Sequence, residues 1–247
     1  MATATVHPVE TEETERRPRQ VHTITDRYSV ANTFLLDDGK LIVVDPGSDT
    51  SVRLLLTYIQ RFLKRSVSDI DLIVLTHLHE PHLAGLSLLR RYCQAPVAAS
   101  AIIRTLAQEE RGSIFPYFSH MAEKLLSHAA PHVDLLPPSY SAHLHWVELW
   151  LDDVSGLPEH PDWRVIASPG HTPESICLYN PFTLELLCGD TISTVEGHGP
   201  LLHVGANRQR LYETFQVLRE LPVRYLYPGH GRPILAMHPL QHTEIQW

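Results

Sequence analysis

Short apolar runs alternate with loops rich in glycine, proline and histidine, and the spacing of the apolar positions changes from run to run. Residues 69–76, Asp-Ile-Asp-Leu-Ile-Val-Leu-Thr, read as a buried strand. Residues 32–36 and 41–44 flank Asp38-Gly39, a dipeptide that favours the positive backbone angles of a tight hairpin turn, so these two strands are expected to be antiparallel. From Asp49 onward Val52, Leu55, Leu56, Ile59, Phe62 and Leu63 recur at helical spacing, with Ser48 or Asp49 in place to cap the first turn. A second helix is expected over 82–93 and a short strand over 96–99. Further on, 146–151, 163–167, 176–179 and 184–188 read as strands, with Asn180-Pro181 turning the chain between the last two. Leu211, Phe215 and Leu218 share one face of a helix expected over 207–221, which leads into a strand at 225–227. Pro131, Pro137 and Pro138 mark an irregular connection.

Composition narrows the class. With 247 residues and 43% hydrophobic content the chain can bury a sizeable core, and we read residues 21–247 as one domain. Residues 1–20 are polar and lack the apolar core of a secretory signal, which predicts a disordered tail. No apolar stretch approaches the roughly 20 residues needed to cross a bilayer, so a membrane partner is not expected. A formal net charge of −8 offers no basic face for a phosphate backbone, which argues against nucleic acid as a partner. Cys93, Cys177 and Cys188 are widely spaced and unpaired in motif, as expected for reduced thiols in a cytoplasmic protein.

The compositional outlier is histidine, with 17 copies. His77, His79 and His82 fall within six residues directly after the apolar run 69–76. Alternation along an extended chain would place His77 and His79 on one side, where two imidazoles suit zinc or a similar divalent ion. Three later segments each put a metal-capable residue just past a predicted strand: Pro169-Gly170-His171-Thr172-Pro173, Gly189-Asp190-Thr191 and Gly229-His230-Gly231. A glycine beside each permits the tight turn that aims the side chain back toward the strand ends. His120, His128, His132, His143, His145, His160, His238 and His242 stand outside any such pattern and are assigned no role.

Taken in order, Val44-Asp45-Pro46-Gly47, the histidine cluster, Pro-Gly-His-Thr-Pro, Gly-Asp-Thr and the final Gly-His-Gly make the chain resemble the metallo-β-lactamase-fold hydrolases over residues 21–234. The resemblance implies an α+β fold, a four-layer αββα sandwich with metals at one edge. It implies that His77, His79 and His171 hold a first metal, that Asp190 bridges, and that His82 and His230 hold a second. It also implies that Asp45 stands behind the site. The chain departs from the His-x-His-x-Asp-His pattern at Pro81, which offers neither a side-chain ligand nor a backbone N–H. Glu80 would point away from the histidines if the segment were extended.

The resulting expectation is a zinc-dependent hydrolase, with one or two ions and with iron or manganese still open. Metal-bound hydroxide would attack an ester, thioester, lactone or amide, and Asp190 or His230 would receive or orient the proton. The second metal site is expected to be weakened. The alternative is a non-catalytic or regulatory protein that binds a small molecule through its metal. Substrate choice is expected to lie in a helical lid over 112–145, carrying Phe115, Tyr117, Phe118, His120 and Met121, and in the loop 193–206, where His198 is a candidate contact. The substrate itself and the oligomeric state are not legible.

Overall fold

A computed structural model describes residues 21–26, 31–110, 139–194, 199–202 and 206–246. The polar tail, most of the 112–145 region and His198 therefore lie outside the described residues. Two six-stranded sheets form the centre. The first runs, in spatial order, β1 (Val21–Thr25), β2 (Asn32–Asp37), β3 (Leu41–Val44), β4 (Ile70–Val74), β5 (Val97–Ser100) and β6 (Leu149–Leu151). The second is built from β7 (Gly156–Leu157), β8 (His160–Ala167), β9 (Ile176–Asn180), β10 (Glu185–Gly189), β13 (Tyr225–Pro228) and β14 (Ile234–Leu235), ordered β14-β13-β10-β9-β8-β7. Strands β11 (Ser193–Thr194), β12 (Pro200–Leu202) and β15 (Glu244–Ile245) make a small third sheet.

Burial explains the sandwich. β3, β9 and β10 are buried at every position and β2 at all but its last residue, which requires cover on both faces. Phe34, Leu36, Ile42, Val44, Leu72 and Val74 face Trp163, Val165, Leu178, Leu187 and Tyr227 across the inter-sheet core. On the outer face of the first sheet, Leu35, Val43 and Ile73 pack with Val52, Leu55 and Ile59 of α1 (Asp49–Arg61). On the outer face of the second, Leu186 and Leu226 pack with Leu211, Phe215 and Leu218 of α6 (Arg208–Leu218). Each buried aliphatic of α1 contributes roughly 1.5–3 kcal/mol. The Ser48 N-cap, which accepts from Ser51 N, adds about 1 kcal/mol. Packing therefore decides where this helix lies.

The expected Asp38-Gly39 hairpin is present, with β2 and β3 antiparallel. The expected helix over 82–93 is not continuous. It is two short pieces, α2 (Glu80–Leu83) and α3 (Leu86–Leu89), interrupted at Ala84 and Gly85. Gly47 N donates to His82 O at 2.9 Å and Gly85 N donates to Gly47 O at 2.5 Å, so the α1 entry loop is stitched into the break. A Cβ on Gly85 would sit 2.6 Å from Ser48 O, which is why the break falls at a glycine. Two other short helices, α4 (Ile103–Glu110) and α5 (Tyr140–His143), cover the first sheet. The strand expected over 146–151 begins instead as a 3₁₀ turn at Leu144–Trp146, with extended pairing only from Leu149.

β3, β4, β5 and β6 are mutually parallel, as are β10 and β13. Their carboxyl ends therefore open at common edges, and Ile176 N donates to Thr76 O at 2.9 Å to join the two sheets there. The sheets are also tied by His160, to which no role was assigned. Its Nδ1 lies 2.7 Å from Asp38 Oδ2 and its Nε2 lies 3.1 Å from Asp71 Oδ2. Burial opposes protonation of His160, but the two carboxylates outweigh it and raise its pKa. Stabilisation by this clamp is thus complete below the unfolded imidazole value of about 6.5 and is lost as pH rises through the folded value. We expect the denaturant midpoint to fall on going from about pH 6 to about pH 9 by more in the wild type than in His160→Asn. Parallel pH profiles for the two proteins would show that the clamp contributes nothing.

Candidate metal centre

The residues that follow β4 do not continue as a strand. Val74 is the last extended position, His79 caps α2 with φ −71° and ψ 140°, and the helix starts at Glu80. The segment turns at this point instead of running extended: Glu80 and Pro81 are the first two residues of a helical turn. Proline is favoured there because the first N–H groups of a helix have no intrahelical acceptor. The turn carries His82, fully buried, back toward His77.

His171 comes from the loop between β8 and β9, Asp190 from the turn after β10, and His230 from the turn after β13. Asp190 Oδ2 is the point of convergence. It lies 3.6 Å from His77 Nε2, 3.5 Å from His171 Nε2, 3.3 Å from His82 Nε2 and 3.0 Å from His230 Nε2. His79 Nδ1 is 3.0 Å from His171 Nε2, and His82 Nε2 is 3.3 Å from His230 Nε2. Donors held about 2.0–2.1 Å from a tetrahedral zinc stand roughly 3.3–3.4 Å apart. Two overlapping donor sets share Asp190 and keep their ligand atoms within 4.8 Å of one another, close to this spacing: His77, His79, His171 and Asp190, then His82, Asp190 and His230; Asp45 forms a further such group with His77 and His82. Glu80 is in neither set among the described residues.

Behind the donors, Asp45 organises two of the rings. Its φ of 51° is an uncommon backbone state that aspartate tolerates, and Asp45 N is held by Val74 O at 2.9 Å. Asp45 Oδ1 accepts from Thr76 N at 2.8 Å, and Oδ2 accepts from Thr76 Oγ1 at 2.6 Å. Because the Thr76 hydroxyl donates to Asp45, its contact at 3.0 Å with His77 Nδ1 requires His77 to donate. That leaves His77 Nε2 with a free lone pair facing Asp190. His82 Nδ1, 3.2 Å from Asp45 Oδ2, likewise leaves Nε2 on the Asp190 side.

The electrostatics suit a cation. Burial, reinforced by His82, holds the His77 pKa well below the ordinary imidazole value, so it is neutral and ready to donate electrons. Burial works against a charged His82, yet Asp190 and Asp45 raise its pKa well above that value. Burial would raise Asp190, but His230, His82 and His77 hold it well below the carboxylate range. His77 Nε2 and Asp190 Oδ1 are both buried with no hydrogen-bond partner among the described residues. An orphaned imidazole nitrogen and an orphaned carboxylate oxygen in one buried cluster fit a bound divalent ion.

Two supporting residues escaped the sequence reading. Asn32 Nδ2 donates to Pro228 O at 2.9 Å and Gly231 O at 2.8 Å, and Asn32 N donates to Gly229 O at 2.7 Å, so one side chain clasps the His230 turn. Its only local signal is a polar residue opening a strand whose centre, Phe34-Leu35-Leu36, is apolar. Glu174, 1% exposed, bonds the His77–His79 segment and had no signal beyond its place near His171.

An αββα sandwich that delivers six histidine and aspartate side chains to one edge belongs to the class of metal-site hydrolase folds. The model of the Metallo-beta-lactamase superfamily matches residues 27–230, which include all six donors. The chain belongs to that superfamily. It is 27% identical over 206 residues to a probable metallo-hydrolase of Methanocaldococcus jannaschii, covering 81% of this chain and 87% of that protein. It is also 27% identical over 156 residues to a hydroxyacylglutathione hydrolase of Idiomarina loihiensis, covering 63% and 43%. Among solved structures, TTHA1623 in a di-iron-bound form superimposes with a TM-score of 0.61 at 21% identity, covering 90% of this chain and 96% of that one. The B3 metallo-β-lactamase BLEG-1 gives 0.60 at 21% identity, covering 87% and 93%. The likeness to these two structures shows the shared fold.

Proposed function

We propose that this protein is a metal-dependent hydrolase of an ester, thioester, lactone or amide bond in a small-molecule substrate, with one strong and one weakened metal site. The convergence of four imidazole nitrogens on Asp190 Oδ2 within 3.0–3.6 Å carries this reading. His77, His79, His171 and Asp190 would hold the first ion, and His82 and His230 would share Asp190 with the second. A bound divalent ion would supply Lewis acidity toward an acyl carbonyl and lower the pKa of a water toward neutrality. The chain's own groups do the rest: Asp45 and Thr76 fix the rings of His77 and His82, and Asp190 or His230 takes up or orients the proton. The His230 side chain, 19% exposed, is the most open of the donors that face Asp190 Oδ2.

The donor set of imidazoles and one carboxylate favours zinc, while the di-iron form of TTHA1623 makes iron the other ion to test. Pro81 brings no donor to the second site, which among the described residues retains His82, Asp190 and His230. Inductively coupled plasma mass spectrometry on untagged, zinc-equilibrated and desalted protein should find about one ion per chain, the second appearing only with excess metal. Two ions retained after desalting would overturn the weakened second site, and none would overturn the metal-dependent reading.

The second reading is a metal-dependent small-molecule binder without turnover, favoured by the absence of a donor at position 81. A panel of ester, thioester, lactone and amide substrates separates the two. The three cysteines are free and buried, which favours a reducing compartment such as the cytoplasm. No helix among the described residues is long and apolar enough to cross a membrane.

A further inference from the structure

Glu174 is an expensive residue in its position. It is 1% exposed, and burying a carboxylate costs several kcal/mol unless hydrogen bonds offset it. Its two oxygens are spent on different parts of the chain. Oε1 accepts from Leu78 N at 3.2 Å, and Oε2 accepts from the Tyr140 hydroxyl at 2.9 Å. Leu78 lies between His77 and His79, in the loop after the first sheet's β4, where neither strand nor helix supplies an acceptor for its amide. Glu174 itself lies three residues beyond His171, in the loop that enters the second sheet at β9. One carboxylate therefore spans the two loops that supply all three histidines of the stronger donor set. Tyr140 is in turn held by α4: Glu110 Oε1 accepts from Tyr140 N at 3.0 Å and Oε2 from Ser141 N at 2.9 Å. Glu174 is in neither donor set among the described residues, so it acts through the histidines.

We infer that Glu174 is a positioning residue that sets the distance between the His77–His79 pair and His171, and so determines the affinity of that subsite for its metal. The inference rests on the metal-site reading above. It predicts a selective effect, because other side chains hold the second donor set: Asp45 orients His82 and Asn32 clasps the His230 turn.

The test is zinc titration of the full chain in competition with a chromophoric chelator, resolving the tighter and weaker constants. Glu174→Ala should weaken the tighter constant by about tenfold or more, the scale of lost outer-shell support, and leave the weaker one within about threefold. Glu174→Gln keeps an oxygen for Leu78 N and an amide that can bond the Tyr140 hydroxyl, so it should restore the tighter constant to within about threefold of wild type. Cobalt(II) spectra of the same proteins report the geometry of the tighter site without any substrate. If Glu174→Ala yields no folded apoprotein by circular dichroism, Glu174→Asp, which keeps the charge but loses one methylene of reach, replaces it with the same expected loss. A folded Glu174→Ala or Glu174→Asp protein with an unaltered tighter constant, or with equal losses at both constants, overturns the inference. A wild type that takes up no zinc or cobalt sinks the metal-site reading instead.

Discussion

Replacing His79 with alanine is expected to lower kcat/KM, on any substrate the wild type cleaves, by on the order of a thousandfold, the scale of losing one strong electrostatic stabiliser in a water-poor site. The residue is 2% exposed, and its Nδ1 lies 3.0 Å from His171 Nε2, inside the donor set of His77, His79, His171 and Asp190. Its backbone role is separable, since the His79 carbonyl accepts from His82 N at 3.0 Å whatever the side chain. The helical turn that presents His82 should thus survive the substitution. The expected result is a folded protein that has lost its tighter metal and its hydrolysis together. Steady-state kinetics and metal analysis on the same preparation check it, and unchanged hydrolysis would sink the proposed function.

The second large effect is on stability. Gly170→Ala should cost roughly 3–5 kcal/mol, combining backbone strain of about 1–3 kcal/mol with overpacking of similar size. Gly170 has φ of 146°, and a Cβ placed on it would fall on the backbone of Leu211 in α6, where no rotamer change can relieve the clash. The contact matters because it seats the His171 loop: Asn207 N donates to Gly170 O and Ala206 N to His171 O, both at 3.0 Å. Gly39→Ala is the control. Gly39 also has a positive φ, 111°, but nothing lies within 4 Å of its Cβ position, so it should lose only about 1 kcal/mol from strain. Urea midpoints that shift equally for both variants would show that the seat on α6 carries no energy of its own.

The residues that carry the candidate chemistry were largely legible, and those that support them were not. His77, His79 and His82 stand out because three imidazoles after an apolar run form a short-range pattern. His171, Asp190 and His230 stand out because each sits beside glycine in a loop just past a strand. Asn32, Glu174 and His160 look ordinary in sequence because their partners are remote. Glu174 bonds a residue 96 positions away, Asn32 bonds carbonyls 196 and 199 positions away, and His160 bridges carboxylates 122 and 89 positions away. A glutamate or histidine without its partner is by default a solvated surface group. The continuous helix expected over 82–93 failed for the same reason: the apolar spacing there is helical, but Gly47 of another loop occupies the break at Gly85.

By itself the amino-acid sequence determined the alternation of strands and helices, the Asp38-Gly39 hairpin and the amphipathic helices that roof the two sheets, and it pointed to six candidate donor residues. The elements follow from periodicity and turn chemistry, which act over a few residues, and the donor set is what the resemblance carried by the ordered motifs implies. Only the tertiary structure decided that His77, His82, His171 and His230 converge on Asp190 Oδ2, with His79 beside His171, which nitrogen of His77 and of His82 faces inward, and that Pro81 lies in the first turn of a helix. It alone showed that a buried glutamate joins the two histidine loops. Convergence depends on the register of parallel strands and the joining of two sheets. That register is set by burial summed over the whole core, a quantity no local window of sequence contains.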